Sequence, residues 1–419
     1  MIQRLLLKCG SCDKKFYIRV TVGLGTFHKF RFNCPYCDLE MHGEVFLNYT
    51  NPDGSHNSIT QSLPTFRFTN ANREDEETED DINNKCLTIF TDIPILKEYY
   101  ISDNSFQLPG PSFQTMHELK NFAPIFINGI NKFYSLPEND FYLIKNAYRE
   151  YRKNNFEKAI KILNKISNNI PGNLSRIPSA CAFLYVIFFD GLLGYWENIS
   201  YHANLIEEIG KRNIENIFDV PKSIKELGVI ENFINEFMDL ANQIYDCKDI
   251  LSVAHYFDYI NLNTYPKHII NLDYPDKFFS LYEQLCEYAH KIIKIEIGYL
   301  NIKERGNIDS FSNTKFSSYK KYFKDAKLFD SLDLIKEYSE IGDDFNFSID
   351  RSIRNGIAHK SISFSQNGQQ LLIKKGKSIN MVEYDLTLKK AILLSRICVT
   401  CFGIITDQNR MISDSIWEK

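Results

Sequence analysis

The chain has 419 residues, 44% hydrophobic and 24% charged, with a formal net charge of −4. That length exceeds one ordinary hydrophobic core, so two or three domains are expected. The composition is that of a globular protein, and the near-neutral balance excludes a globally basic nucleic-acid binder, so any RNA contact must come from a local basic patch.

The N-terminal Leu5-Leu6-Leu7 run enters a cysteine cluster, not a small-residue cleavage site, so no signal peptide is expected. The longest apolar stretch, Cys181 to Trp196, is short for a bilayer span and carries Asp190, which predicts a buried core helix and no membrane contact. Ten cysteines, four of them in CxxC pairs, point to metal binding and a cytoplasmic location, not to a secreted disulfide framework.

Residues 1–50 read as a small β module. Phe16 to Val22 alternates and ends at Gly23, and Lys29-Phe30-Arg31-Phe32 alternates again. Cys9-Gly10-Ser11-Cys12 and Cys34-Pro35-Tyr36-Cys37 enclose 21 residues. Each CxxC puts two thiolates on one side of a tight turn, and two such knuckles joined by a hairpin complete a tetrahedral sulfur cage for Zn2+. This resembles a zinc ribbon over residues 1–50. Four cysteines leave no open coordination position, so Cys9, Cys12, Cys34 and Cys37 would hold one structural ion per chain. His28 and His42 are expected as exposed hairpin histidines. Lys8, Lys14, Lys15, Arg19, Lys29 and Arg31 form a modest basic cluster.

Residues 51–85 read as an acidic flexible linker, since Arg73 to Asp81 is almost wholly acidic and has no apolar partner for a core. The alternative is an acidic segment that masks a basic site. Residues 86–270 read as a helical middle domain. Phe141 to Ile166 shows helical spacing on both sides of Asn154-Asn155, like one tetratricopeptide unit without a second copy. Further helices are expected at 179–196, 198–211, 222–246 and 249–261.

Residues 271–419 read as a helical bundle with a β-hairpin insertion, which makes the fold class mainly α. Helices are expected at 276–303, 328–341, 346–358 and 386–408. Ser361 to Phe364 and Leu371 to Ile373 flank Asn367-Gly368, a strong hairpin signal. Cys398 and Cys401, inside the last helix, are expected as small buried hydrophobes.

Arg354-Asn355-Gly356-Ile357-Ala358-His359 stands at the end of one of these helices, just before the hairpin. It resembles the RNxxxH motif of the HEPN superfamily, and the resemblance extends over residues 271–419. It implies a helical bundle that cleaves RNA as a homodimer, commonly as a toxin, CRISPR effector or abortive-infection protein. On that reading the chain is a metal-independent endoribonuclease with a toxin or anti-phage role and a sensor or antitoxin partner. The residue chemistry agrees. Histidine, a side-chain type that titrates near neutral pH, suits removal of the 2′-OH proton, and a guanidinium fork suits the phosphate. Asn355 lies four residues before His359 and can orient it, Arg351 is a candidate substrate contact, and Gly356 leaves room for another backbone. The acidic residue that family members carry on an earlier helix would be Glu283 or Glu287. Two alternatives remain: a non-catalytic HEPN dimerisation scaffold, with His359 as a plain helix cap, and a zinc-ribbon nucleic-acid- or protein-binding module.

Overall fold

The computed structural model describes residues 2–21, 27–46, 49–50, 60–61, 64–74, 84–90, 95–96, 101–102, 138–166, 177–193, 200–212, 214–251, 254, 268–269, 275–311, 315–365 and 368–417. The protein is mainly helical, with small β-sheets near the N-terminus and a β-hairpin region before the last helix. Two compact units are each assembled from separate stretches. One comprises Met1–Ile130, Cys247–Phe279 and Asn355–Lys389, and the other Asn131–Asp246, Ser280–Arg354 and Lys390–Lys419. The successive domains expected from the sequence are therefore interleaved.

The first unit begins with β1 (Ile2–Cys9), β2 (Lys15–Thr21), β3 (Phe27–Asn33) and β4 (Glu40–Phe46). After the short pair β5 (Tyr49–Thr50) and β6 (Thr60–Gln61) come β7 (Thr65–Thr69), β8 (Ala71–Glu74) and β9 (Cys86–Phe90). Next are β10 (Ile95–Leu96) and β11 (Ile101–Ser102). One sheet has the order β11-β9-β2-β1-β8 and another the order β3-β4-β7. Alternation decides which side chains face inward. Leu5, Leu7, Phe16, Ile18 and Val20 of the first sheet share one core with Phe30, Phe32, Met41 and Val45 of the second. Leu6 points to the other face, beside Tyr17 and Cys86. The leucine run is thus a central strand buried on both sides.

The expected linker is corrected here. Its residues Phe66 and Phe68 pack on the module core, β7 pairs with β4, and β8 pairs with β1 through Cys9↔Ala71. Cys86 to Phe90, assigned to a helical domain from sequence, runs parallel to β2. The module therefore continues well past residue 50. The acidic stretch from 75 to 83 lies outside the described residues.

The second unit is helical, with α1 (Glu138–Arg152), α2 (Phe156–Ile166), α3 (Ile177–Leu193), α4 (Ser200–Arg212), α5 (Asp219–Glu226) and α6 (Ile230–Asp246). The short α7 (Lys248–Leu251) and β12 (His268–Ile269) follow in the first unit. Then come α8 (Pro275–Arg305), α9 (Tyr319–Asp325), α10 (Leu328–Ile335), α11 (Ser339–Ser348) and α12 (Arg351–Ala358). The strands β13 (Ile362–Phe364), β14 (Gln370–Lys375) and β15 (Ser378–Glu383) precede α13 (Tyr384–Trp417).

Aromatic side chains dominate the helical core: Phe141 stacks on Tyr245 at 4.4 Å and Phe237 on Phe402 at 3.6 Å. Helix α3, which carries the described part of the long apolar stretch, is buried along most of its length but exposes Phe183 and Ile187, and no helix among the described residues is long and apolar enough to cross a membrane. Cys398 and Cys401 are fully buried, as expected for small hydrophobes.

Several boundaries differ from the sequence reading. The expected helix 222–246 is two helices, α5 and α6, separated at Gly228, whose φ of +67° ends α5 in a left-handed turn. Residues 328–358 form three helices, because Tyr338 and Ile349 are extended. Of the expected helix 249–261, residues 255–261 lie outside the described residues, as does Asn367 of the hairpin turn. The hairpin itself acquires a third strand, β15, paired along β14.

Candidate metal centre and candidate active site

Each CxxC is the turn of a hairpin. Cys9 closes β1 and its N–H bonds to Lys14 O at 3.0 Å, while Cys34 follows β3 and its N–H bonds to Leu39 O at 2.9 Å. Four residues after each first cysteine the chain turns left-handed, at Asp13 (φ 57°) and Asp38 (φ 62°). The two knuckles are thus built alike. They bring Cys9 Sγ within 3.7 Å of Cys37 Sγ, and Cys12 Sγ within 3.7 Å of Cys34 Sγ. All four sulfurs lie within 4.8 Å of one another. A disulfide needs about 2.05 Å, whereas a tetrahedral ion with metal–sulfur bonds of about 2.3 Å spaces its sulfurs about 3.8 Å apart. The observed spacing suits a metal ion. Burial pushes the Cys34 thiol up to about 12. Cys9 feels burial too, but N–H groups of Cys12 and Ser11 outweigh it and bring its thiol to about 7.

A residue assigned to the linker holds the knuckles together. Asn70, at φ 67°, accepts the Gly10 N–H at 3.0 Å through its carbonyl and donates its amide to Glu40 O at 2.9 Å. Asparagine tolerates the left-handed region, which is the one signal in the sequence that could have marked it. His28 is buried, contrary to expectation, and His42 pairs with Glu40 at 3.0 Å. The four cysteines are the one metal-competent cluster among the described residues.

The basic cluster does not form a free cationic face. Lys8 pairs with Asp13, Lys15 with Glu74 and Lys29 with Glu44, at 3.2, 3.8 and 3.4 Å. Lys14 lies over the Tyr36 ring, and Arg19 and Arg31 are buried.

The second site is the end of α12. Asp350 caps this helix, its Oδ1 accepting from the N–H groups of Ser352 at 2.9 Å and Ile353 at 3.3 Å. Lys390 donates to Asp350 Oδ2 at 2.8 Å, and Tyr282 Oη accepts the Asp350 N–H at 2.9 Å while donating to Ser348 O. Burial would raise the Asp350 carboxyl, but Lys390 and the two backbone donors hold it below the usual carboxylate range.

Arg354 is partly buried and its Nη2 donates to Glu287 Oε1 of α8 at 2.6 Å. Of the two acidic candidates, the structure pairs Glu287 with the arginine. Asn355 gives its backbone carbonyl to the His359 N–H at 3.0 Å, and His359 itself is exposed at the helix C-cap. The chain then turns at Lys360 (φ 52°), with Lys360 N–H on Ile357 O and Ser361 N–H on Gly356 O. This is a Schellman motif, which normally takes glycine or asparagine at that position. Asn154 after α1 and Gly228 after α5 occupy the same position in their own Schellman turns, so lysine is the odd residue of the three. Gly356 admits the side chains of Ile373 and Ile362, not another backbone: a Cβ there would lie 3.1 and 3.4 Å from them. Arg351 is exposed, with its guanidinium 4.5 Å from the centroid of Phe329.

Five residues at about 100° each put Arg354 and His359 about 140° apart around the helix axis. On α8, one turn after Glu287, burial pushes the His290 imidazole down to about 4, so it takes up no proton near neutral pH.

No family model, no curated protein and no solved structure matches the chain.

Proposed function

We propose that the chain is an endoribonuclease of the HEPN type, in which His359 removes the 2′-OH proton of RNA and Arg354 holds the phosphate. The 2′-oxygen bonds to phosphorus as the P–O5′ bond breaks and the leaving 5′-oxygen takes a proton from water, leaving a 2′,3′-cyclic phosphate and a 5′-OH. One observation carries this reading. The Arg354-Asn355…His359 set stands at the open end of a short helix capped at both ends, so its backbone is fixed while the His359 side chain stays exposed. The left-handed Lys360 beside His359 supports it, because backbone strain clusters at functional sites. The angular offset of Arg354 and His359 favours a homodimer in which two copies complete each site. Arg351 remains a candidate substrate contact.

The ion proposed for the four cysteines is Zn2+, which prefers four thiolates at this spacing and would be structural. By resemblance the activity would serve as a cytoplasmic toxin or anti-phage effector, under a sensor or antitoxin partner. A non-catalytic dimerisation scaffold is the second reading. It is favoured by the ion pair that occupies Arg354 and by the C-cap position of His359, where a cation suits the helix dipole.

The deciding experiment incubates cellular RNA with wild type, Arg354→Ala and His359→Ala, with magnesium and with a chelator, and maps the ends formed. Loss of the base should cost about 10²–10⁴ in rate, and loss of the phosphate clamp about 10²–10³. Light scattering should give a dimer for all three proteins. A wild type that cuts no RNA while remaining dimeric supports the scaffold. Cleavage that needs magnesium and survives His359→Ala places the chemistry elsewhere.

A further inference from the structure

Arg31 lies on β3, three residues before Cys34, and is buried. Its Nη2 donates to the Gly368 carbonyl at 2.9 Å, and its guanidinium lies 4.0 Å from the centroid of the Phe364 ring. Both contacts fall on the hairpin that follows His359. Gly368 has a φ of +69°, and a Cβ there would come within 2.2 Å of Arg31 Nε, so the guanidinium occupies the space a side chain would need. Phe364 is itself held by Phe279, stacked at 5.5 Å, and by Tyr384, edge-on at 4.9 Å.

The same hairpin fixes the last turn of α12. Ile362 and Ile373 pack on Gly356, the Ser361 N–H closes the helix on Gly356 O, and the Lys374 N–H donates to Ser361 O at 2.8 Å. His359 lies between Gly356 and Ser361. A continuous set of contacts therefore runs from the strand that carries the third cysteine, through one buried arginine, to the turn that carries the histidine. Here Nη2 donates and the guanidinium plane stacks on Phe364, a combination that lysine cannot reproduce.

We propose that Arg31 is a positioning residue for His359, tying the four-cysteine module to the hairpin that sets the end of α12. Loss of metal from the module is then felt at His359, although the ion takes no part in the chemistry. The consequence for rate rests on the ribonuclease reading, whereas the tie itself does not.

The test uses full-length wild type, Arg31→Ala, Arg31→Lys and Gly368→Ala. It measures bound metal, amide hydrogen exchange over residues 356–375, and cleavage of a single-stranded oligoribonucleotide. Both alanine variants should keep one metal ion per chain while hairpin exchange rises on the order of tenfold. Their kcat should fall between about tenfold and 10²-fold with KM unchanged, and Arg31→Lys should not restore it. Stripping metal from wild type should raise exchange over the same residues. Hairpin exchange that stays at the wild-type rate in both alanine variants overturns the proposal, and so does faster exchange with unchanged kcat. Loss of metal from Arg31→Ala would show that the arginine serves the module alone, which also overturns it. A wild type that cuts no RNA defeats the ribonuclease reading, and the tie is then decided by exchange alone.

Discussion

The four-cysteine module and the end of α12 hold their reactive atoms in opposite ways. In the module the backbone wraps the sulfurs: two left-handed turns, a bridging asparagine and a shared aromatic core leave the thiols little freedom. At α12 the helix is secured by its caps, through Asp350 at one end and the Lys360 turn at the other, while His359 stays in solvent. Four thiols packed this closely suit a shared metal ion, and binding one would link the stability of the module to a ligand. A residue at a capped helix end can change without unfolding anything, which is the condition for placing chemistry there.

The largest test of that contrast is Cys34→Ser. Apparent binding energies of structural zinc in small modules are about 10–16 kcal/mol at neutral pH, so losing one thiolate should abolish metal binding. Hydrogen-exchange protection of β1 to β4 should fall with it, while the helical unit melts as before. Elemental analysis checks the first point, and full metal content in the variant would erase the contrast.

A smaller effect is expected at Asp350→Ala, which removes an N-cap and the partner of Lys390 together. Cap loss costs about 0.5–2 kcal/mol. Asp350 titrates below the usual carboxylate range when folded, so its contribution is fully present above the unfolded value of about 3.9 and is lost as pH falls through the folded value. The stability gap between wild type and variant should be constant from about pH 7 to about pH 5 and close below about pH 4. Urea midpoints across that range measure it, and a gap that persists at the acid end would mean the charge is not what Asp350 contributes.

The smallest expected change is a gain. Lys360→Gly relieves a left-handed lysine and should stabilise the protein by about 1 kcal/mol. Gly228→Ala, at the matching turn, should lose a similar amount. If the thermal midpoint of Lys360→Gly does not rise, the turn beside His359 carries no strain and this support for a functional site is withdrawn.

Much of this was legible in local pattern. The period-two run from Phe16, the paired CxxC spacing, the apolar stripe along α8 and the helical hairpin of α1 and α2 each depend on residues that lie close together in the chain, so they survive reading without a fold. The CxxC turns even carry their own left-handed residues, Asp13 and Asp38. What the sequence could not decide were choices made between distant segments. The stretch Thr65 to Glu74 becomes two strands because β4 and β1 supply the missing hydrogen bonds, and its phenylalanines find a core that its acidic neighbours conceal. The basic cluster loses its meaning once Asp13, Glu44 and Glu74 are beside it. Glu283 and Glu287 share a face of α8, and only the packing of that helix beside Arg354 selects the second. Arg31 reads as one member of a modest basic cluster until a hairpin 337 residues further along the chain accepts its hydrogen bond. In each case a short-range pattern sets the conformation, and tertiary packing alone decides which charge is paired, buried or left to act.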